Sequence, residues 1–140
     1  MIYLIPDEGA PGWIEILTGL RPAEFYLGLY RPTPVGQVPD RTAILADGIG
    51  VQEASGSNYA RVPLPPEVWE RSDGGASAEI SFPSPGPGGW GTVAGVVVVD
   101  AATGGRALVY AALEDGSMFC EPEMEIIVDL SWFLPRGMVA

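Results

Sequence analysis

Apolar positions in this chain fall into short runs of period two, broken by glycine and proline. In EFYLGLYR, residues 24–31, Phe25, Leu27 and Leu29 share one parity, and Tyr26, Gly28 and Tyr30 the other. That predicts a strand with a dry side and an aromatic side. SAEISF, residues 77–82, alternates again, with Ala78, Ile80 and Phe82 together. In VAGVVVVD, residues 93–100, both parities are apolar, which predicts a central strand buried on both faces. AATGG then turns the chain and RALVYAAL returns as the second arm of a hairpin. Near the C-terminus, Met124, Ile126, Val128, Leu130 and Trp132 line one face. Glu123, Glu125, Asp129 and Ser131 line the other, with Ile127 as the exception. This is the pattern of a half-exposed outer strand. YARVPL, residues 59–64, is a further strand, ended by Pro65 and Pro66.

One stretch has helical phase. In WIEILTGL, residues 13–20, Trp13, Ile16, Leu17 and Leu20 recur at i, i+3, i+4 and i+7, and Gly19 and Pro22 end the pattern. Residues 31–41 and 83–91 are loops by their prolines and glycines, and 42–57 reads as turns around a brief strand or helical turn. EVWERSDGG reads as one turn of helix or a bend, with Trp69 facing in. The predicted fold is all-β: a single-domain two-layer antiparallel β-sandwich, jelly-roll or immunoglobulin-like, with one short N-terminal helix. It spans residues 1–140, with 1–12 as an N-terminal docking arm and 134–140 as a C-terminal tail.

Composition supports one core. The chain has 140 residues and is 47% hydrophobic, so disorder is excluded although glycine (19) and proline (14) are abundant. The formal charge is −11, which repels phosphate backbones and argues against a nucleic-acid partner. Every cation is an arginine. The longest apolar run, near Val93 to Val99, is far short of a membrane span, and MIYLIPDEGAPG does not read as a signal peptide. The expectation is a soluble protein made in a cytoplasm, with no membrane partner.

Chemistry is sparse. Without histidine, no Ser-His or Cys-His nucleophile pair can form, and no zinc cluster is present. Cys120 is alone and reads as a half-buried thiol. Glu121, Glu123 and Glu125 fall at every second position, a spacing that would set three carboxylates on one strand face for calcium or glycosidic chemistry. A solvated face that protects an edge strand is the stronger reading. Tyr26, Tyr30, Tyr59, Trp69, Trp90, Tyr110 and Trp132 could floor a sugar site, although core and interface packing is the commoner use. No catalytic, cofactor-binding or metal residue is assigned, no cofactor is expected, and the protein reads as a non-enzyme.

The order FYLGLYRPTP, SGSNYARVPL, AEISFPSPGPGGWGTV and DAATGG resembles a family of small tailed-bacteriophage virion proteins often labelled tail fibre proteins. The resemblance spans about residues 24–116 and rests most on SGSNYAR, ISFP, WGTV and DAATGG. The opening MIYLIPDEGAPG, the extra prolines of 31–41 and the closing LPRGMVA depart from the family pattern. The resemblance implies a virion structural protein, made in the host cytoplasm, with a β-sandwich fold and no catalytic residues. The implied partners are other virion proteins, either the major capsid protein or tail proteins. Compact size and the lack of heptads favour head decoration or cement over a tail-fibre component. A homo-oligomer is expected, and a carbohydrate-binding module for host glycans is the alternative. Candidate interface residues are Ile2, Tyr3, Leu4, Pro32, Pro34, Val35, Trp90, Leu134 and Arg136.

Overall fold

A computed structural model describes residues 3–72 and 74–133. In chain order the elements are β1 (Tyr3–Leu4), α1 (Ala10–Leu17), β2 (Tyr26–Tyr30), β3 (Val62–Pro63), a 3-10 turn (Pro66–Val68), β4 (Glu70–Ser72) and β5 (Gly75–Phe82). β6 (Gly91–Val93), β7 (Gly95–Val99), β8 (Ala107–Ala112), β9 (Met118–Cys120) and β10 (Ile126–Phe133) follow. All pairings are antiparallel. One sheet has the order β1-β8-β7-β2-β3, a second β10-β5-β4, and β6 pairs with β9. The all-β sandwich is as the alternation predicts.

The parity of each strand decides what it buries. Leu27, Leu29, Val96, Val98, Val109 and Ala111 of the larger sheet pack against Ala78, Ile80, Phe82, Ile126, Val128 and Leu130 of the smaller. The opposite parity of the larger sheet is also buried. There Tyr30, Val97, Val99, Ala107 and Tyr110 pack under Ala43, Leu45 and Val51. The segment between β2 and β3, whose residues 42–57 read from sequence as turns around a brief strand or helical turn, is therefore an apolar cover. Its residues 52–54 continue the sheet edge: the Arg31 N–H donates to the Gln52 carbonyl at 2.8 Å and Ala54 N–H to Leu29 at 2.9 Å. β7 and β8 are buried throughout because both faces are covered.

The helix departs from its sequence pattern. It starts at Ala10, where Pro11 suits the first turn, and stops at Leu17. A register shift near Val98 and Val99 leaves Leu108 without a partner in β7, a bulge that turns its carbonyl toward the helix. The Trp13 indole N–H donates to that carbonyl at 2.8 Å, and Gly12 is the buried point of approach. With Gly12, Trp13 and Ile16 inward, Leu17 lies to the side and is 82% exposed. Leu20 falls beyond the helix, loses the phase, and is 78% exposed.

Other expectations shift as well. β3 pairs over two residues only, and β4 and β9 are too short for their alternation to show. Glu121, Glu123 and Glu125 lie in an exposed turn before β10 and do not form a strand face; Glu123 takes a φ of 64° and its N–H donates to the Pro85 carbonyl. Cys120 is fully buried, and burial pushes its thiol up against a smaller opposing pull from Arg31. No helix among the described residues is long and apolar enough to cross a membrane.

Tyr30 and Tyr110 pack edge to face with ring centroids 5.4 Å apart, both fully buried. The Tyr30 hydroxyl donates to the Gln37 carbonyl at 2.8 Å, whereas the Tyr110 hydroxyl has no hydrogen-bond partner among the described residues. Tyr30→Phe is therefore expected to lose about 1 kcal/mol, and Tyr110→Phe to gain about as much. Denaturant midpoints of the two variants check this; equal losses in both would contradict it.

Candidate functional site

The stretches that carry the family resemblance converge in the interior. Trp90 of WGTV is 1% exposed. Its indole N–H donates to the Ser57 carbonyl at 2.9 Å, and its amide N–H to the Cys120 carbonyl at 2.9 Å. Its own carbonyl accepts from Arg31 Nη1 at 2.6 Å. Tyr59 and Phe82 meet the ring edge-on, with centroids at 5.2 and 6.4 Å. Gly89, at a φ of 68°, supplies the approach: a Cβ there would stand 2.5 Å from the Cys120 carbonyl. SGSNYAR, ISFP and WGTV thus form one packed joint.

DAATGG is tied to the same joint through Arg61. Arg61 Nε and Nη2 grip both oxygens of Glu53 at 3.0 and 2.8 Å, and Nη1 donates to the carbonyls of Ala101 and Gly104 at 2.8 and 2.7 Å. The Tyr59 hydroxyl donates to Glu53 Oε2 at 2.6 Å and accepts from the Leu29 N–H at 3.0 Å. Burial first, and Glu53 next, push the Tyr59 phenol well above its ordinary range. At the turn's start, Asp100 accepts from the Arg106 N–H at 2.7 Å and from Arg21 Nη1 at 2.9 Å. Gly105, with a φ of 73°, has no room for a Cβ against the Asp100 carboxylate. Glu15 of α1 joins the cluster through Arg21 and Arg106 at 3.6 and 3.4 Å. These polar groups bind one another.

The candidate interface residues scatter. Pro32, Pro34 and Val35 are exposed on the loop after β2, Val35 at 63%. Tyr3 is 39% exposed, and Leu4 packs partly against the cluster under the cover segment. Tyr3 pairs with Ala111, which faces Val96 and then Leu29, so it stands three strands across from β2. Trp90 is a correction: the sequence placed it on a surface, and its hydrogen bonds and aromatic neighbours hold it inside. Ile2, Leu134 and Arg136 lie outside the described residues.

Sequence reasoning missed a different surface. The smaller sheet is too narrow to cover the larger, and α1 covers only part of the remainder. An apolar cavity of about 250 Å³ is left, lined by Trp13, Phe25, Leu64, Trp69, Val98 and Val109. A second, of about 390 Å³, shares Trp13 and Val109 and adds Ile5 and Leu17. Ile5 is 56% exposed and Ile14 61%, so with Leu17 and Leu20 they extend the apolar surface around α1. The signal was present in the helical spacing of Leu17 and Leu20 with Trp13, which did not show that these two side chains face outward.

The fold is thus a β-sandwich whose motif residues bind one another and whose surface around α1 is apolar. The sequence matches, over residues 18–118, the family model described as podophage GP4 fiber I protein gp80. The chain belongs to this family, and it is a bacteriophage virion structural protein, which implies contact with other virion proteins. No curated protein matches the chain. The matched span contains Arg31, Ser57, Tyr59, Phe82 and Trp90 of the joint, whereas Cys120, β1, all of α1 and β10 lie outside it.

Burial raises the Asp100 carboxyl, but the Arg106 N–H and the charges of Arg21 and Arg106 outweigh it and leave the group below its ordinary value of 3.8. A carboxyl lowered in the folded state contributes stability that is present above the unfolded value and is lost as pH falls through the folded one. Stability is expected to drop as pH falls below about 4, and Asp100→Asn to flatten that part of the profile. Thermal melts of both proteins between pH 2 and 6 check this. An unchanged acid limb in the variant would count against the assignment.

Proposed function

We propose that the protein is a non-enzymatic subunit of the tail-fibre apparatus, held to a neighbouring virion protein through the apolar surface around α1. One observation carries this reading: the Trp13–Val109 cavity runs into exposed Ile5 and Leu17, giving a continuous apolar face on a chain of net charge −11. The charge keeps the free subunit soluble, and the face supplies adhesion once the right partner is met. Compactness alone favours head decoration; the family match over residues 18–118 supports the fibre assignment instead. The loop with Pro32, Pro34 and Val35 is a second contact of the same kind, since proline leaves little chain entropy to lose on docking.

A glycan-binding role draws less support. Tyr30, Trp90 and Tyr110 of the candidate platform are at most 1% exposed. The aromatic cavity beside α1 is lined by apolar side chains without the polar groups that would orient a sugar.

Ile14→Glu combined with Leu17→Glu is expected to leave the melting midpoint nearly unchanged, because both side chains are exposed, while abolishing incorporation into particles. Mass spectrometry of purified virions reads both copy number and incorporation. A handful to a few dozen copies fits the tail. Hundreds of copies, or normal incorporation of the variant, would refute the proposal.

A further inference from the structure

β10 is the outer strand of its sheet, with β5 on one side only. The Ser131 carbonyl accepts a hydrogen bond from the Tyr3 hydroxyl of β1 at 2.5 Å, so it points away from β5. Main-chain groups of an antiparallel strand alternate between its two sides, so the N–H and C=O groups of Ile127 and Asp129 point the same way. Apart from the Tyr3 bond, β10 thus offers, among the described residues, an edge without a strand partner, of the kind that an added strand completes.

The surroundings of that edge have a sign. Beside it lies a cleft of about 500 Å³ whose lining includes Val96, Ala111 and Leu130 together with Glu114, Asp115 and Asp129. On the outer face of the smaller sheet, Asp129 stands directly opposite Glu79, and Glu70 lines the same depression. Like charges directly opposite each other on a sheet are destabilising. Among the described residues the ion pairs engage Glu15, Glu53 and Asp100, and none engages these five carboxylates.

We infer that β10 is a docking edge for an extended segment of a partner protein in which apolar residues alternate with arginine or lysine. Added antiparallel to β10, such a strand sends its apolar side chains into the cleft and its cations over Glu79 and Asp129. A second copy of β10 fits poorly, because pairing two copies brings acidic faces together on molecules that each carry −11. β10 lies beyond the family-matched span. The site is separate from the α1 surface and its test needs no particle, so either reading can fail alone.

The probe is an alternating valine–arginine heptapeptide, with a valine–glutamate heptapeptide as control, titrated against the full chain. Binding of the arginine peptide is expected to slow amide exchange at Ile127 and Asp129 at least tenfold, and to weaken as salt screens the carboxylates. Ile127→Pro removes an outward N–H that β5 does not use, and Asp129→Lys reverses the charge at the edge. Each should weaken binding tenfold or more while exchange at Val97 stays slow, which shows that the sandwich is intact. Equal binding of the glutamate peptide, or undiminished binding by Ile127→Pro, would overturn the inference. So would exchange slowed only elsewhere, or amides at Ile127 and Asp129 already shielded in the free protein by pairing of two copies.

Discussion

An indole ring can be removed from water without penalty only where its N–H finds an acceptor, and in this chain that acceptor is the Ser57 carbonyl. Burying a ring of this size is worth about 4–6 kcal/mol, against about 1 kcal/mol net for each hydrogen bond. The apolar term therefore supplies the stability, and the hydrogen bonds choose the one arrangement that collects it. Ser57, Cys120 and Arg31 come from three separate parts of the chain, so seating Trp90 fixes the loop before β3, the β9 strand and the end of β2 together. Tyr59 passes the constraint on to Glu53 and Arg61, and Arg61 passes it to the Ala101–Gly104 turn. The hairpin of β7 and β8 is thereby tied to a loop about forty residues earlier.

The half-buried ion pair of Arg61 and Glu53 is better read as a specifying device than as a source of stability. Desolvating two charges offsets most of their attraction, and a well-packed apolar pair could serve as well. What the pair adds is direction: a guanidinium with five donors satisfies a carboxylate and two turn carbonyls at once, which no apolar side chain could orient.

Strands with long alternation or double-sided burial could be read from the residues alone. β5, β7, β8 and β10 fall where Ile80, Val97, Tyr110 and Val128 predict them. Position along a face was less legible than its existence. Leu17 and Leu20 keep helical spacing with Trp13, but the approach at Gly12 rotates the helix and its early end drops Leu20. The cover formed by Ala43, Leu45 and Val51 lacked any periodic signal, because loop residues can pack on a sheet without repeating. Trp90 was recognised as important and misplaced. An aromatic residue between glycines reads as a loop tip, and only the distant Ser57 carbonyl shows that it turns inward.

The motif joint accounts for the fold, and the surfaces outside it account for assembly. Within the family-matched span the charged groups of the joint are partnered, whereas Ile5, Ile14 and Leu17 and the β10 edge face outward beyond it. Native-state hydrogen exchange on the full chain tests the central claim that the Trp90 seat is the most strongly held part of the molecule. The account predicts that the Trp90 indole proton exchanges only through global unfolding, at the rate of the Val97 and Val109 amides. A Trp90 indole that exchanges orders of magnitude faster than those amides would contradict it.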